Sequence, residues 1–147
     1  MFLDPTDESV NRLLQRGIFG PVTLLNLLRF RDWADYSGFP DAAPPEPVTG
    51  SEAYDRYIGH TMPFLTASGG SITFLATGGH SLVGPPGERW DLVMAVTQAS
   101  VQDFLAFASD AAYLTGVCHR TAALEDSRLL PLVHRVVQVV PHDPGLG

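Results

Sequence analysis

Residues 22–30 read VTLLNLLRF, and this stretch decides the fold. As a strand it puts Val22, Leu24, Asn26, Leu28 and Phe30 on one face and Thr23, Leu25, Leu27 and Arg29 on the other. Both faces are apolar, which marks a strand covered on two sides. Each face also carries one polar group, Asn26 or Arg29. A buried amide or guanidinium left without a partner costs about 1–3 kcal/mol, so each needs an internal partner or a ligand. The two point to opposite faces, so at most one of them meets a ligand within one protomer. The apolar surroundings of Asn26 make it the pocket-facing one.

Before the strand, Thr6 to Arg16 has the marks of a short helix. Thr6 is a cap, Asp7 and Glu8 suit its first turn, and Val10, Leu13 and Leu14 form an apolar stripe. After it, residues 31–50 are rich in proline, glycine and small residues and predict a long loop. Such a loop is a binding lid, a surface insertion or a dimer arm.

Thr49 and Glu52 have capping-box spacing and open a helix over about 51–67, with Tyr54, Tyr57, Ile58, Thr61, Met62 and Leu65 on one face. His60 sits beside that stripe, and Pro63 predicts a kink near Gly59. A second strand is expected over 71–83, with a bulge or bend at Gly78-Gly79, then a Gly/Pro turn and a third strand over 89–97. Ser100 caps a helix striped by Val101, Phe104, Leu105 and Ala108. A further helical piece spans 109–117, with one more helical turn over 121–125. Residues 128–140 are apolar and β-like, with Pro131 making part of them an edge strand or a break. The tail 141–147 is expected to be loose.

The order is β–α–β–β–α–β with an extra helix in front, all in one domain with its core over about 20–140. This is the α+β, ferredoxin-like arrangement: a four-stranded antiparallel sheet with its helices on one face. The uncovered apolar face then calls for a second copy of the chain, so a homodimer through that face is expected.

Composition narrows the function. The net charge is -7 over 147 residues, and no basic cluster is present, which argues against nucleic acid as a partner. The chain has no lysine; all nine basic residues are arginine. That excludes lysine Schiff bases, pyridoxal-phosphate attachment and a P-loop. A single cysteine, Cys118, forms no internal disulfide, and no window is apolar enough to span a bilayer. With MFLDPTDES showing no signal-peptide pattern, the expected location is cytoplasmic, with no membrane partner. The histidines show no paired-ligand spacing and no GxGxxG follows a strand, so neither a metal nor a nucleotide cofactor is expected.

LNLLRF, YDRYIGHTMPFLTASGG, ERWD and SDAAYLTGVCHRTAALEDSRLLPL together resemble the DUF1330 family, over roughly residues 22–132. That resemblance implies the dimeric α/β-barrel superfamily, with a ligand pocket between the sheet and the helices of each protomer. The family is functionally uncharacterised. Relatives in the superfamily include cofactor-independent monooxygenases, lactone isomerases, stress-related proteins and heme-degrading monooxygenases. The last use an asparagine on the first strand, a tryptophan and a histidine. Asn26 matches by position, while Trp90 and His119 match by type only.

The residues able to carry chemistry are few. His119 and His60 are the candidate acid–base groups. Arg120 is suited to a substrate carboxylate, and Asn26 and Tyr57 to substrate hydrogen bonds. The plainer alternatives are that Arg120 caps a helix or pairs with Asp110 or Asp126, that the tyrosines are core packing, and that Cys118 is inert. The leading expectation is a small-molecule binder for a partly apolar, anionic compound. As an enzyme it would be a cofactor-independent oxygenase or isomerase. The alternatives are a non-catalytic, ligand-sensing or structural homodimer, and a heme-binding monooxygenase-like protein.

Overall fold

The computed structural model describes residues 1–142 and 144–146. Its elements are α1 (Asp7–Gln15), β1 (Val22–Phe30), a 3-10 turn (Pro40–Ala42), α2 (Gly50–Ala67), β2 (Ser71–His80), β3 (Arg89–Gln98), α3 (Val101–Ala108), α4 (Ala111–Leu114), α5 (Val117–Ala123) and β4 (Leu124–Leu132). The strands form one sheet in the order β2-β3-β1-β4. All three ladders are antiparallel. This is the ferredoxin-like α+β fold, with β1 at the centre as its two apolar faces require.

Alternation along β1 assigns the two sides of the sheet. Val22, Leu24 and Leu28 are buried against the helices. Leu28 joins Tyr54, Tyr57, Tyr113, Ala122 and Met94 in the main core, while Val22 and Leu24 pack with Leu13 of α1 and Val101 of α3. On the other face Thr23, Leu25, Leu27 and Arg29 remain only partly covered. Phe74 and Leu130, paired with Ala95 and Leu25, continue that open face at 55% and 52% exposure. One apolar face is thus filled by helices, and the other is left uncovered by the chain itself.

Side-chain caps start the helices where the sequence places them. Thr6 and Ser9 form a reciprocal capping box on α1. Thr49 accepts from the Glu52 amide on α2, and Ser100 from the Asp103 amide on α3. Pro63 lies inside α2, which continues to Ala67.

Five local expectations are corrected. The irregularity in β2 falls between Ile72 and Phe74, not at Gly78-Gly79. Gly79 pairs with Trp90 in register, and Gly78 lies so close to the Trp90 carbonyl that a Cβ has no room there. The same strand ends at His80, three residues before Val83. The helical piece after α3 breaks at Thr115-Gly116 into α4 and α5. His119 and Arg120, expected between the helical pieces 109–117 and 121–125, therefore lie within α5. The last strand begins at Leu124, where a helical turn was expected, and ends at Leu132 instead of Val140. Pairing decides this: Leu124, Asp126 and Ser127 find Phe30, Arg29 and Leu28 opposite them, while residues 133–140 meet no strand among the described residues. The expected loose tail includes Asp143 and Gly147, which lie outside the described residues, and Pro144–Leu146 forms a 3-10 turn.

Candidate functional site

The loop over 31–50 is stitched to the helices. Arg31 donates its amide to the Ala123 carbonyl, Asp35 to Ala122, and Gly50 to Arg31. Gly50 has no space for a Cβ, which would fall on the backbone of Arg31 and Ala123. This close crossing requires glycine at the first position of α2. In the first third of the loop Tyr36 enters the core. Its Oη lies 2.8 Å from His119 Nδ1, with the two rings edge-to-face.

Burial, then the nearby Arg56 and His60, holds the His119 pKa below the usual histidine range. Burial raises that of Tyr36. Both groups are therefore neutral at pH 7. Two tautomers satisfy this contact: Tyr36 donating to Nδ1 leaves the ring proton on Nε2, and Nδ1 donating to the Tyr36 oxygen leaves Nε2 free to accept.

The second histidine is used differently. His60 Nε2 lies 3.0 Å from the Tyr113 carbonyl and 3.1 Å from that of Ala112. Carbonyls only accept, so Nε2 carries the proton. The ring leans on Phe64 and against Gly116, where a Cβ would overlap it.

Tyr57 and Tyr113 share a buried hydrogen bond of 2.7 Å between their hydroxyls. They belong to a chain of rings from Phe30 through Tyr54, Tyr57 and Tyr113 to Phe107. Burial pushes the pKa values of Tyr54 and Tyr113 far up, so these phenols stay protonated. Arg120 donates from Nη1 to the Leu3 carbonyl at 2.6 Å and from Nη2 to Ser127 Oγ at 3.4 Å, with Asp4 3.8 Å away. Asp110 instead caps α4 through the Tyr113 amide, and Asp126 holds the Phe2 amide and Arg128. On β1, Asn26 Nδ2 donates to the carbonyls of Leu24 and Met94 at 3.2 and 3.3 Å. Across the sheet, Arg29 lies 3.4 Å from Glu125, which also approaches Arg89.

The structure thus brings His60, His119, Tyr57 and Tyr113 to the neighbourhood of α4 and α5, and leaves Asn26 on the sheet. An open cleft of about 530 Å³ lies between the loop and this helical corner, lined by Phe39, Pro40, Ala42, Leu114, Val117 and Cys118, among others. None of the five residues expected to form the site lines it, although His119 follows Cys118 directly. Tyr36 was not among the expected residues. The only signal for it is an aromatic residue inside a Pro/Gly-rich loop. Among the described residues no group of three His, Cys, Asp or Glu side chains is placed to hold a metal, and no helix is long and apolar enough to cross a membrane.

The methylated RPA0582 protein, in its crystal structure, is 35% identical to this chain, covers 98% of it and 97% of its own length, and superposes with a TM-score of 0.78. The chain belongs to the RPA0582 family. A second structure, of the RPA0582 protein of unknown function from Rhodopseudomonas palustris, matches at 35% identity over 88% of this chain and 94% of that one, with a TM-score of 0.75. A dimeric ferredoxin-like protein of unknown function from Thermobifida fusca superposes less closely, with a TM-score of 0.46 at 13% identity over 78% and 92% of the two chains. No family model and no curated protein matches the sequence. The chain thus shares the fold of RPA0582, which is itself of unknown function.

Proposed function

We propose that this member of the RPA0582 family is a cytoplasmic, homodimeric small-molecule-binding protein. In this reading it is a dimeric α/β barrel of the kind the DUF1330 likeness implies, joined through its open sheet face. The single observation that carries the binding role is the neutral His119 imidazole, held by Tyr36 at 2.8 Å, one residue along from the cleft wall at Cys118. The cleft is open to solvent and its lining is largely apolar, which suits a small, partly apolar compound. In the tautomer that donates from Nδ1 to the Tyr36 oxygen, Nε2 keeps a free lone pair and is equipped to take a proton from a bound acid. Proton abstraction opens both isomerisation and cofactor-independent oxygenation, the two reactions that fit by analogy of fold.

The test is a thermal-shift screen of small carboxylates and aromatics against the wild type, Tyr36→Phe and His119→Ala. A hit is expected to raise the melting temperature of the wild type and to lose most of that shift in both variants. Shifts that persist undiminished in both remove the pair from the site.

A second reading, a non-catalytic structural or ligand-sensing homodimer, is favoured by a different observation. Asn26, Tyr57, His60 and Arg120 each hydrogen-bond to the chain itself through at least one polar atom. If no compound in the screen shifts the wild type, this reading replaces the first. The heme alternative has less support: Asn26 donates to two carbonyls, and Trp90 lies 5.2 Å beneath the Arg128 guanidinium. Adding heme and recording no Soret shift would close it.

A further inference from the structure

Residues 133–140, VHRVVQVV, continue from β4 as chain without strand pairing among the described residues. Val136, Val137, Val139 and Val140 are 79–87% exposed, so the segment is not folded back on its own sheet. A β-branched stretch of this kind has strand character and no strand beside it. The same chain holds a strand in the complementary condition. β2 lies at the edge of the sheet, with β3 as its only neighbour among the described residues. It carries no proline and no Asp, Glu, Lys or Arg to blunt that edge. Phe74 and Leu75 on it are 55% and 58% exposed. The opposite edge differs: β4 is covered by the N-terminal segment, where Phe2 bonds Asp126 and Ser127, and by Arg16, which bonds the Pro131 carbonyl.

We propose that residues 133–140 are an exchange arm, which adds to the β2 edge of a second copy of this chain. The inference rests on the homodimer proposed above and supplies the strand that each exposed edge lacks. Own-chain pairing is disfavoured by topology, because β4 and β2 stand at opposite sides of the sheet with β1 and β3 between them. An extended segment of eight residues spans about 26 Å, enough to cover most of a ten-residue edge strand. Backbone bonds along the edge would supply affinity, and the valines of one face, Val133, Val137 and Val139, would settle on the apolar side chains of the hairpin.

The experiment compares sedimentation of the full chain, a chain ending at Leu132, and full-length Val137→Pro. Proline removes a ladder donor in the middle of the arm while leaving the rest of the chain intact. Circular dichroism confirms that each variant is folded. Hydrogen exchange on the full chain and the truncated chain reads the protection of β2. The full chain is expected to be a dimer at micromolar concentration. Both changes should raise its dissociation constant at least tenfold, and truncation should strip protection from the β2 amides. A full chain that sediments as a monomer overturns the homodimer and the arm together. A dimeric full chain whose two variants dimerise with unchanged affinity overturns the arm alone. Weakened dimers with unaltered β2 protection overturn the β2 edge as the docking site.

Discussion

The phenol of Tyr36 and the imidazole of His119 meet at 2.8 Å, joining the first third of the long loop to α5. Backbone bonds from Arg31 and Asp35 tie the start of the loop to the end of the same helix. Tyr36 is thus a structural anchor whatever else it does. Tyr36→Phe keeps the buried ring and removes one hydrogen bond, an expected loss of about 1 kcal/mol. Tyr36→Ala also empties a core position, and the loss should rise to roughly 3–5 kcal/mol. Urea denaturation of the two variants checks the ratio. Equal losses would show that the ring contributes nothing beyond its hydroxyl.

Because burial, Arg56 and His60 lower the pKa of His119, the unfolded chain binds a proton there more readily than the folded one. Its contribution to stability is therefore complete above the ordinary histidine value of about 6.5 and is lost as pH falls below it, through the lower folded value. The lowered carboxyls of Asp35 and Asp126 act only below their ordinary value of 3.8, so the two windows are separate. The melting temperature should decline as pH drops from 6.5 toward 5. His119→Asn, which keeps a hydrogen-bonding partner for Tyr36, should flatten that decline. An unchanged slope in His119→Asn would assign it to another group.

The centre of this fold was legible in the sequence because β1 carries its pattern in nine residues. Its bounds, its two apolar faces and the opposite placing of Asn26 and Arg29 all follow from period-two alternation. The caps at Thr6, Thr49 and Ser100 were legible for an equally local reason. What escaped is what depends on pairing across the chain. The acidic, unbranched start of β4 has no intrinsic strand preference and is extended because Leu28 and Arg29 lie beside it. The valines of 133–140 have that preference and no strand to meet. Tyr36 escaped for the same cause: nothing local in a Pro/Gly-rich loop shows that one of its side chains reaches α5. The candidate histidines were visible as residue types, but their hydrogen-bond partners are set by the turn between α4 and α5.

If the open sheet face joins two protomers, a charge placed there should separate them without unfolding either one. Leu130 is half exposed in the single chain, so Leu130→Asp leaves the monomer fold in place. Buried in a dimer, the same carboxylate would lie unpaired in an apolar interface, a cost of several kcal/mol. Sedimentation should show the variant as a monomer at concentrations where the wild type is a dimer. A variant that dimerises like the wild type would move the contact elsewhere on the molecule.

Gly116 and His60 offer a coupled test of the helical corner. The glycine begins the turn into α5 with φ at −104°, a conformation open to any residue, so the backbone does not demand it. The demand comes from the His60 ring, which occupies the space a Cβ would need. Gly116→Ala must displace that ring and with it the bonds to the Ala112 and Tyr113 carbonyls, an expected loss of about 1–3 kcal/mol. In a His60→Ala background the added methyl meets no ring, and most of that loss should vanish. The double-mutant cycle should show a coupling of about 1 kcal/mol or more. Additive losses in the two single variants would mean that the methyl strikes the α4–α5 backbone and not the imidazole.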